Sequence, residues 1–291
     1  MKNFFFLLLA VAFMACGNET AVESAEPTPS TEPAPAPFAQ RIEAATERLS
    51  GTDAGKLVLA SIDAHGGLDK WYSQSPLYYH FQYLPTDDKT IRDSYILNDY
   101  VNARAVHTSA NQEGVTYGFD GQDAWHAPAD VKPTVSPRFW SLTPYYFVGL
   151  PFVLADEGIN FEQLPDAEWE GTTYNKIKVT YEQGTGDADG DYYVLWINPE
   201  TKQMDALNYI VSYPGFFKDE GHSPEKLMVL SGKTTVDGIT LPTGYTTRWS
   251  DKPTEVITNI YVKDYEFRPD TEDEAFAKPA GAKVTTDLPG K

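Results

Sequence analysis

The sequence predicts a mainly β domain with a short helical opening, an α+β chain organised around one antiparallel sheet. Three observations carry this. From Leu77 onward apolar residues recur at every second position, the period of a strand with two unlike faces. Before Leu77 they recur at helical spacing. Turn pairs such as Asp120-Gly121 and Asp237-Gly238 cut the alternating region into short runs, with no long crossover helix between them.

The chain of 291 residues opens with Lys2, then the apolar run from Phe4 to Phe13, then Met14-Ala15-Cys16. A basic start, a short apolar stretch and small residues predict a secretory signal over residues 1–15, since a membrane-spanning helix needs roughly 18 apolar residues or more. Cys16 is the sole cysteine, which leaves no partner for an internal disulfide and makes it the candidate for covalent lipid attachment. Residues 16–37 read as an extended, solvated linker, because Pro27, Pro29, Pro33, Pro35 and Pro37 forbid helix and sheet pairing. At ~3.1 Å per residue such a stalk reaches on the order of 65 Å.

Residues 38–291 are expected to form one domain. A first helix runs from Phe38 to Leu49, with Phe38, Ile42, Ala45 and Leu49 on one stripe. A second runs from Asp53, read as its N-cap, to Ala64, with His65 capping its end before Gly66-Gly67. A short turn of helix, Leu68 to Tyr72, presents Trp71. Strands follow where Leu77, Tyr79, Phe81 and Tyr83 alternate with Tyr78, His80 and Gln82. The same alternation returns at Val101-Ala105, Val115-Phe119, Ile177-Tyr181, Ile239-Leu241, Tyr245-Trp249 and Val256-Val262. About ten strands are expected. One segment breaks the series: Ser136 to Leu154 is crowded with aromatic residues and carries Pro144 and Pro151, and it reads as short helices or an apolar loop, a candidate plug or lid.

The formal charge of −19 repels phosphate backbones and anionic headgroups, so nucleic acid is not an expected partner. Gly-x-Ser-x-Gly and paired Cys-His arrangements do not occur, and no glycine-rich loop precedes a helix. The five histidines lack the short spacings of a zinc site. Asp187-Ala188-Asp189-Gly190-Asp191 resembles the start of a calcium loop but lacks its closing glutamate, and a solvated hairpin tip explains the same letters. No cofactor is expected.

The segment Tyr192-Tyr193-Val194-Leu195-Trp196-Ile197-Asn198-Pro199-Glu200-Thr201 resembles a strand ending in the Trp-Ile-Asp/Asn-Pro-x-Thr turn of periplasmic half-barrel proteins of the LolA/LppX/RseB type. Ala64-His65-Gly66-Gly67-Leu68-Asp69-Lys70-Trp71 is similar to the opening of related secreted lipoproteins, as are Ile239-Thr240-Leu241-Pro242 and Val262-Lys263-Asp264-Tyr265-Glu266-Phe267. Phe13-Met14-Ala15-Cys16 likewise resembles a lipobox, with Phe13 where leucine is usual. These resemblances imply a half β-barrel, a single curved antiparallel sheet with helices on its concave face, able to hold lipid chains. They also imply a cell-envelope address at the outer membrane, with Gly17 in place of the aspartate that often signals retention at the inner one.

The strand from Tyr192 is apolar on both faces, which suits a sheet covered on both sides or one that lines a ligand cavity. Tyr192, Val194 and Trp196, with Trp140, Tyr145, Phe147 and Phe152 from the aromatic segment, are the residues expected to line such a cavity. Plain core packing accounts for the same pattern. The function expected first is a non-enzymatic, lipid-anchored module that binds a lipid or other apolar ligand. A scaffold for another envelope protein is the second reading, and a glycan hydrolase using two carboxylates is the third.

Overall fold

The computed structural model describes residues 38–89, 91–217 and 221–285, so the expected signal, Cys16 and the expected linker up to Pro37 lie outside the described residues. The helical opening resolves into α1 (Ala39–Ser50), α2 (Asp53–His65) and α3 (Leu68–Ser73). The N-cap of α2 is Thr52 and not Asp53: the Thr52 Oγ1 accepts the Gly55 N–H at 3.0 Å, while Asp53 sits in the first turn, where its charge favours the helix dipole. At the other end the His65 Nδ1 lies 2.7 Å from the Ser61 carbonyl, satisfying one of the last acceptors of the helix.

Gly66 ends α2 with φ +131°, and a Cβ there would stand 2.5 Å from the Gly238 carbonyl oxygen. The helix end is thus seated on the turn of a hairpin 172 residues later in the chain. Gly66→Ala should lower the unfolding free energy by at least ~1–3 kcal/mol, read as a lower urea midpoint with unchanged slope.

Thirteen strands, not about ten, make up the sheet among the described residues. In chain order the first five are β1 (Leu77–Pro85), β2 (Arg92–Asp99), β3 (Arg104–Ser109), β4 (Thr116–Phe119) and β5 (Ala124–Ala127). After α4 (Pro137–Val148) and a 3₁₀ turn (Phe152–Ala155) come β6 (Ile159–Trp169), β7 (Thr172–Tyr181), β8 (Tyr193–Ile197) and β9 (Met204–Tyr209). The last four are β10 (Lys226–Val236), β11 (Ile239–Trp249), β12 (Lys252–Phe267) and β13 (Lys283–Thr285). Those that alternation missed are mostly polar: β6 has a single buried residue, Ile159, because an edge strand is held by backbone hydrogen bonds more than by side-chain burial. The expected strand at Val101-Ala105 is instead a turn, with Ala103 at φ +53°, and β3 begins at Arg104. Asp237 and Gly238 both take positive φ, the conformation a tight two-residue hairpin needs.

All pairings are antiparallel, in the order β13-β5-β4-β3-β2-β1-β12-β11-β10-β9-β8-β7-β6, and the two edges do not pair with each other. One meander runs from β1 to β5 and a second from β6 to β12, and the β1–β12 pair joins them. This topology has a geometric consequence. The chain leaves β5 near one edge and re-enters at β6 on the other, so the connection carrying α4 has to cross the width of the sheet.

Curvature brings the two sides together. The Arg138 guanidinium on α4 lies 3.9 Å from the centre of the Phe119 ring on β4, and pairs at 2.6 Å with Asp187, just beyond β7. In a flat sheet β4 and β7 would be separated by nine strand spacings, roughly 43 Å at ~4.8 Å each. A half barrel puts both within reach of one side chain.

One face of the sheet and the buried stripes of the helices share a single core. Tyr79, Phe81, Ile96, Ile177, Leu195, Leu207, Tyr245 and Ile260 supply the sheet side, and Leu49, Val58, Ile62, Trp71, Phe152 and Leu154 the other. At its centre the Trp71 ring is stacked between Tyr100, at 4.1 Å, and Phe152, at 4.4 Å. A small second cluster of Trp196, Ala206 and Leu227 forms apart from this core.

Candidate functional site

The aromatic segment takes the helical form of the two that its sequence allowed. Ser136 caps α4, its Oγ accepting the Phe139 N–H at 3.4 Å, and Pro137 occupies the first turn, where a missing N–H costs nothing. Helical spacing then divides the side chains in two. Trp140, Pro144, Phe147 and Val148 are buried, with Trp140 meeting Tyr83 edge-on at 5.5 Å and the Tyr245 hydroxyl donating to the Phe147 carbonyl at 2.8 Å. Phe139, Leu142, Thr143 and Tyr146, spaced i, i+3, i+4 and i+7, line a cavity of about 390 Å³.

The opposite wall is built by Ile159 of β6, Tyr181 of β7, Tyr193 of β8, and Val211 and Tyr213 beyond β9, with the Thr185–Ala188 loop and Asp191 at one side. The volume lies in the range of small-molecule pockets, ~300–1,000 Å³. Tyrosine dominates the lining. The Tyr146 and Tyr181 hydroxyls are hydrogen-bonded to each other, and Tyr146 stacks on Tyr193 at 5.1 Å. Burial pushes the phenols of Tyr146, Tyr181 and Tyr193 above their ordinary range, so all three stay neutral donors and acceptors at physiological pH.

The charged groups of the lining are four carboxylates, Asp156, Glu157, Asp187 and Asp191, and one guanidinium, Arg138. Arg138 is engaged by Asp187 through two contacts, Nε at 2.6 Å and Nη2 at 2.9 Å. Asp156 pairs with Arg41 of α1 at 2.8 Å. Asp191 accepts the Ser212 N–H at 2.5 Å, and burial raises its pKa above the usual carboxylate value.

The expected site residues divide. Tyr145 and Phe147 line the cavity. Trp140 and Phe152 belong to the core and are not part of the lining. Tyr192, Val194 and Trp196 are one register off: their neighbours Tyr193, Leu195 and Ile197 join the main core, whereas Trp196 packs in the separate cluster and donates from Nε1 to Asn208 at 2.7 Å. Tyr192 bonds Glu225 at 2.5 Å under Lys178. Alternation shows that a strand has two faces, but when both are apolar it does not say which is inward.

The weak metal candidates have separate duties. Asp187 holds Arg138, Asp189 accepts the Gly184 N–H at 2.7 Å and closes its own loop, and Asp191 binds the Ser212 backbone. Among the described residues no three His, Cys, Asp or Glu side chains converge as metal ligands would. The residues missed by sequence reading include the α4 stripe of Phe139, Leu142, Thr143 and Tyr146, and Ile159, Tyr181, Tyr193 and Tyr213 of the facing wall. The stripe on α4 was the one legible signal among them, because its spacing is helical once the segment is taken as a helix.

The turn that carries the half-barrel resemblance has a physical basis here. The Asn198 Oδ1 accepts the N–H groups of Glu200 and Thr201, at 3.0 and 3.2 Å, which fixes the reversal from β8 to β9.

No curated protein matches the sequence. Among solved structures, the fold is similar to a LolA-superfamily protein from Nitrosomonas europaea, at 12% identity and a TM-score of 0.52, covering 78% of this chain and 99% of that one. It is also similar to a DUF1329-family protein from Desulfovibrio piger, at 12% identity and a TM-score of 0.50, covering 77% and 97%. The fold is therefore the LolA-like half barrel that the sequence resemblance implied. The profile of the family of unknown function DUF6503 matches residues 80–226, half of the sequence, from β1 through the cavity-forming elements to the start of β10, and the chain belongs to that family.

Proposed function

We propose that this protein is a lipid-anchored lipoprotein of the bacterial envelope that holds an apolar chain in the space between α4 and strands β6 to β8, on the concave face of its half barrel. The observation that carries the reading is the cavity of about 390 Å³, lined by the Phe139, Leu142, Thr143 and Tyr146 stripe of α4. The stripe is half-buried, with Phe139 and Tyr146 packed against the rim of the core, and it still borders this space, where the buried stripe of the same helix fills the core itself. The similarity to a LolA-superfamily structure supports the fold on which this rests.

Residues 1–15 act in this reading as a cleaved signal, Cys16 as the acylated anchor and residues 16–37 as a stalk that holds the single domain of residues 38–291 away from the outer membrane. Among the described residues no helix is long and apolar enough to cross a membrane. Docking of another envelope protein by edge pairing has less support at β6, where Pro165 offers no N–H and Glu162, Asp166 and Glu168 place charge along the edge.

The test is lipid content. Detergent extraction and mass spectrometry of the full chain read the acyl groups on Cys16, and the Cys16→Ser chain, purified without detergent, reads any lipid held in the cavity. That chain should take up a neutral alkyl probe with affinity rising about fourfold per added methylene, the factor for ~0.8 kcal/mol of burial. Leu142→Trp should fill the cavity and weaken uptake at least ~tenfold, whereas Tyr192→Phe, on the register assigned away from it, should leave uptake unchanged. A Cys16→Ser chain that carries no lipid and takes up no probe overturns the reading.

A further inference from the structure

We infer that the cavity selects amphiphiles by head-group charge, accepting a neutral or cationic head on an apolar chain and rejecting an anionic one such as a fatty-acid carboxylate or a phosphate. This rests on the proposed binding role of the same cavity and adds the ligand class to it.

The lining charges decide the sign. An anionic head group is held most strongly by an available cation, above all a guanidinium. Here the lining cation is Arg138, and Asp187 already claims it in a two-point contact while the Phe119 ring lies against it. A carboxylate entering the cavity would have to displace Asp187, which belongs to the same chain and is held at high effective concentration. Asp156, Glu157 and Asp191 then remain, and of these Asp156 has its own partner in Arg41.

Glu157 and Asp191 therefore set the local field. Asp191 is the more telling, because its side chain is partly buried and its carboxylate is held by the Ser212 N–H, which keeps it turned to the cavity when a ligand arrives. Burial disfavours its charged form, and a cationic head group beside it would relieve that cost. Lys226 acts on Asp191 electrostatically, but it stands outside the lining with its Nζ over the Tyr209 and Trp249 rings, and its own charge is disfavoured by burial. The hydrogen-bonded Tyr146 and Tyr181 hydroxyls supply a neutral donor and acceptor, which suits a hydroxyl or amine head. The formal charge of −19 adds repulsion of anions at longer range.

The experiment compares three twelve-carbon probes, dodecanol, dodecylamine and dodecanoate, below their aggregation limits at about pH 7.5. Each displaces a neutral fluorescent naphthylamine from the full chain carrying Cys16→Ser. Dodecylamine and dodecanol should displace it at concentrations at least ~tenfold lower than dodecanoate. Asp191→Asn, which keeps the oxygen that accepts the Ser212 N–H, should reduce the amine preference over the alcohol. Asp187→Asn, which removes the negative charge from the two-point contact with Arg138, should bring dodecanoate to within a few fold of dodecanol.

Displacement by dodecanoate equal to or better than dodecanol overturns the charge selection while leaving the cavity as an apolar site. A chain that takes up neither the naphthylamine nor any of the three overturns both readings. Equal displacement by all three, unchanged in Asp191→Asn and Asp187→Asn, shows chain burial with no head-group recognition and also overturns the inference.

Discussion

Replacing Trp71 with alanine should lower the unfolding free energy by about 3–5 kcal/mol, the cost of deleting a buried aromatic whose site cannot collapse. Trp71 is 1% exposed and stands between Tyr100 and Phe152, with Phe267 edge-on at 6.3 Å and Tyr145 parallel at 6.5 Å. Its backbone carbonyl also accepts the Tyr100 hydroxyl at 2.5 Å. Each neighbour comes from a different part of the chain: the end of β2, the 3₁₀ turn, β12 and α4. None can move into the vacated volume without leaving its own partners, so a cavity persists. Urea unfolding should show a lower midpoint with the slope unchanged. Trp71→Phe should recover much of the loss. Tyr145 and Val153 both line the cavity beside α4, so on the proposed binding role the alanine variant should also weaken probe uptake, a second readout for the same packing.

Acidification should destabilise the protein between about pH 6.5 and pH 4 through two buried histidines. His65 and His107 are both held neutral by burial, their pKa values pushed down to about 4. His65 is 3% exposed and closes α2; His107 is fully buried, stacks on Tyr117 at 4.5 Å and lies 2.9 Å from the Ser141 carbonyl through Nε2. Above pH 6.5 these groups are neutral folded and unfolded and contribute no pH dependence. Below it the unfolded chain takes up protons that the folded chain refuses, so stability falls as pH falls, until the folded pKa is reached. A depression of this size corresponds to roughly 3 kcal/mol per histidine at pH 4. The difference between wild type and His107→Gln, followed by thermal unfolding across this range, isolates one histidine from the many carboxylates. The variant should be less stable at pH 7, having given up a fitted ring, yet lose about half as much of its histidine-linked stability on acidification.

Much of the architecture was legible from local rules. Period-two alternation marked β1, β4, β7, β11 and β12 because each has at least one face buried in the core, a run apolar on both faces before a tight turn marked β8, and helical spacing with Gly66 at the end marked α1 to α3. The Asn198 turn was readable because its hydrogen bonds are local to a few residues. What stayed hidden depended on distant partners. β2, β6 and β10 carry polar residues at many positions, and their pairing is set by the neighbouring strand.

The sequence by itself determined that the chain passes from a helical opening into a sheet, that its strands are antiparallel and connected by tight turns, and that an aromatic segment with two prolines interrupts them. It also carried the likeness to a half barrel. Only the tertiary structure decided which face of β8 turns inward, because Tyr193, Leu195 and Ile197 are no more apolar than Tyr192, Val194 and Trp196, and a strand with two apolar faces holds no local record of its orientation. It alone carried α4 from one edge of the sheet to the other, brought Asp187 to Arg138 and left a space between two rows of tyrosines. These are products of curvature, which sums small twists over thirteen strands and therefore appears in no single segment of the chain.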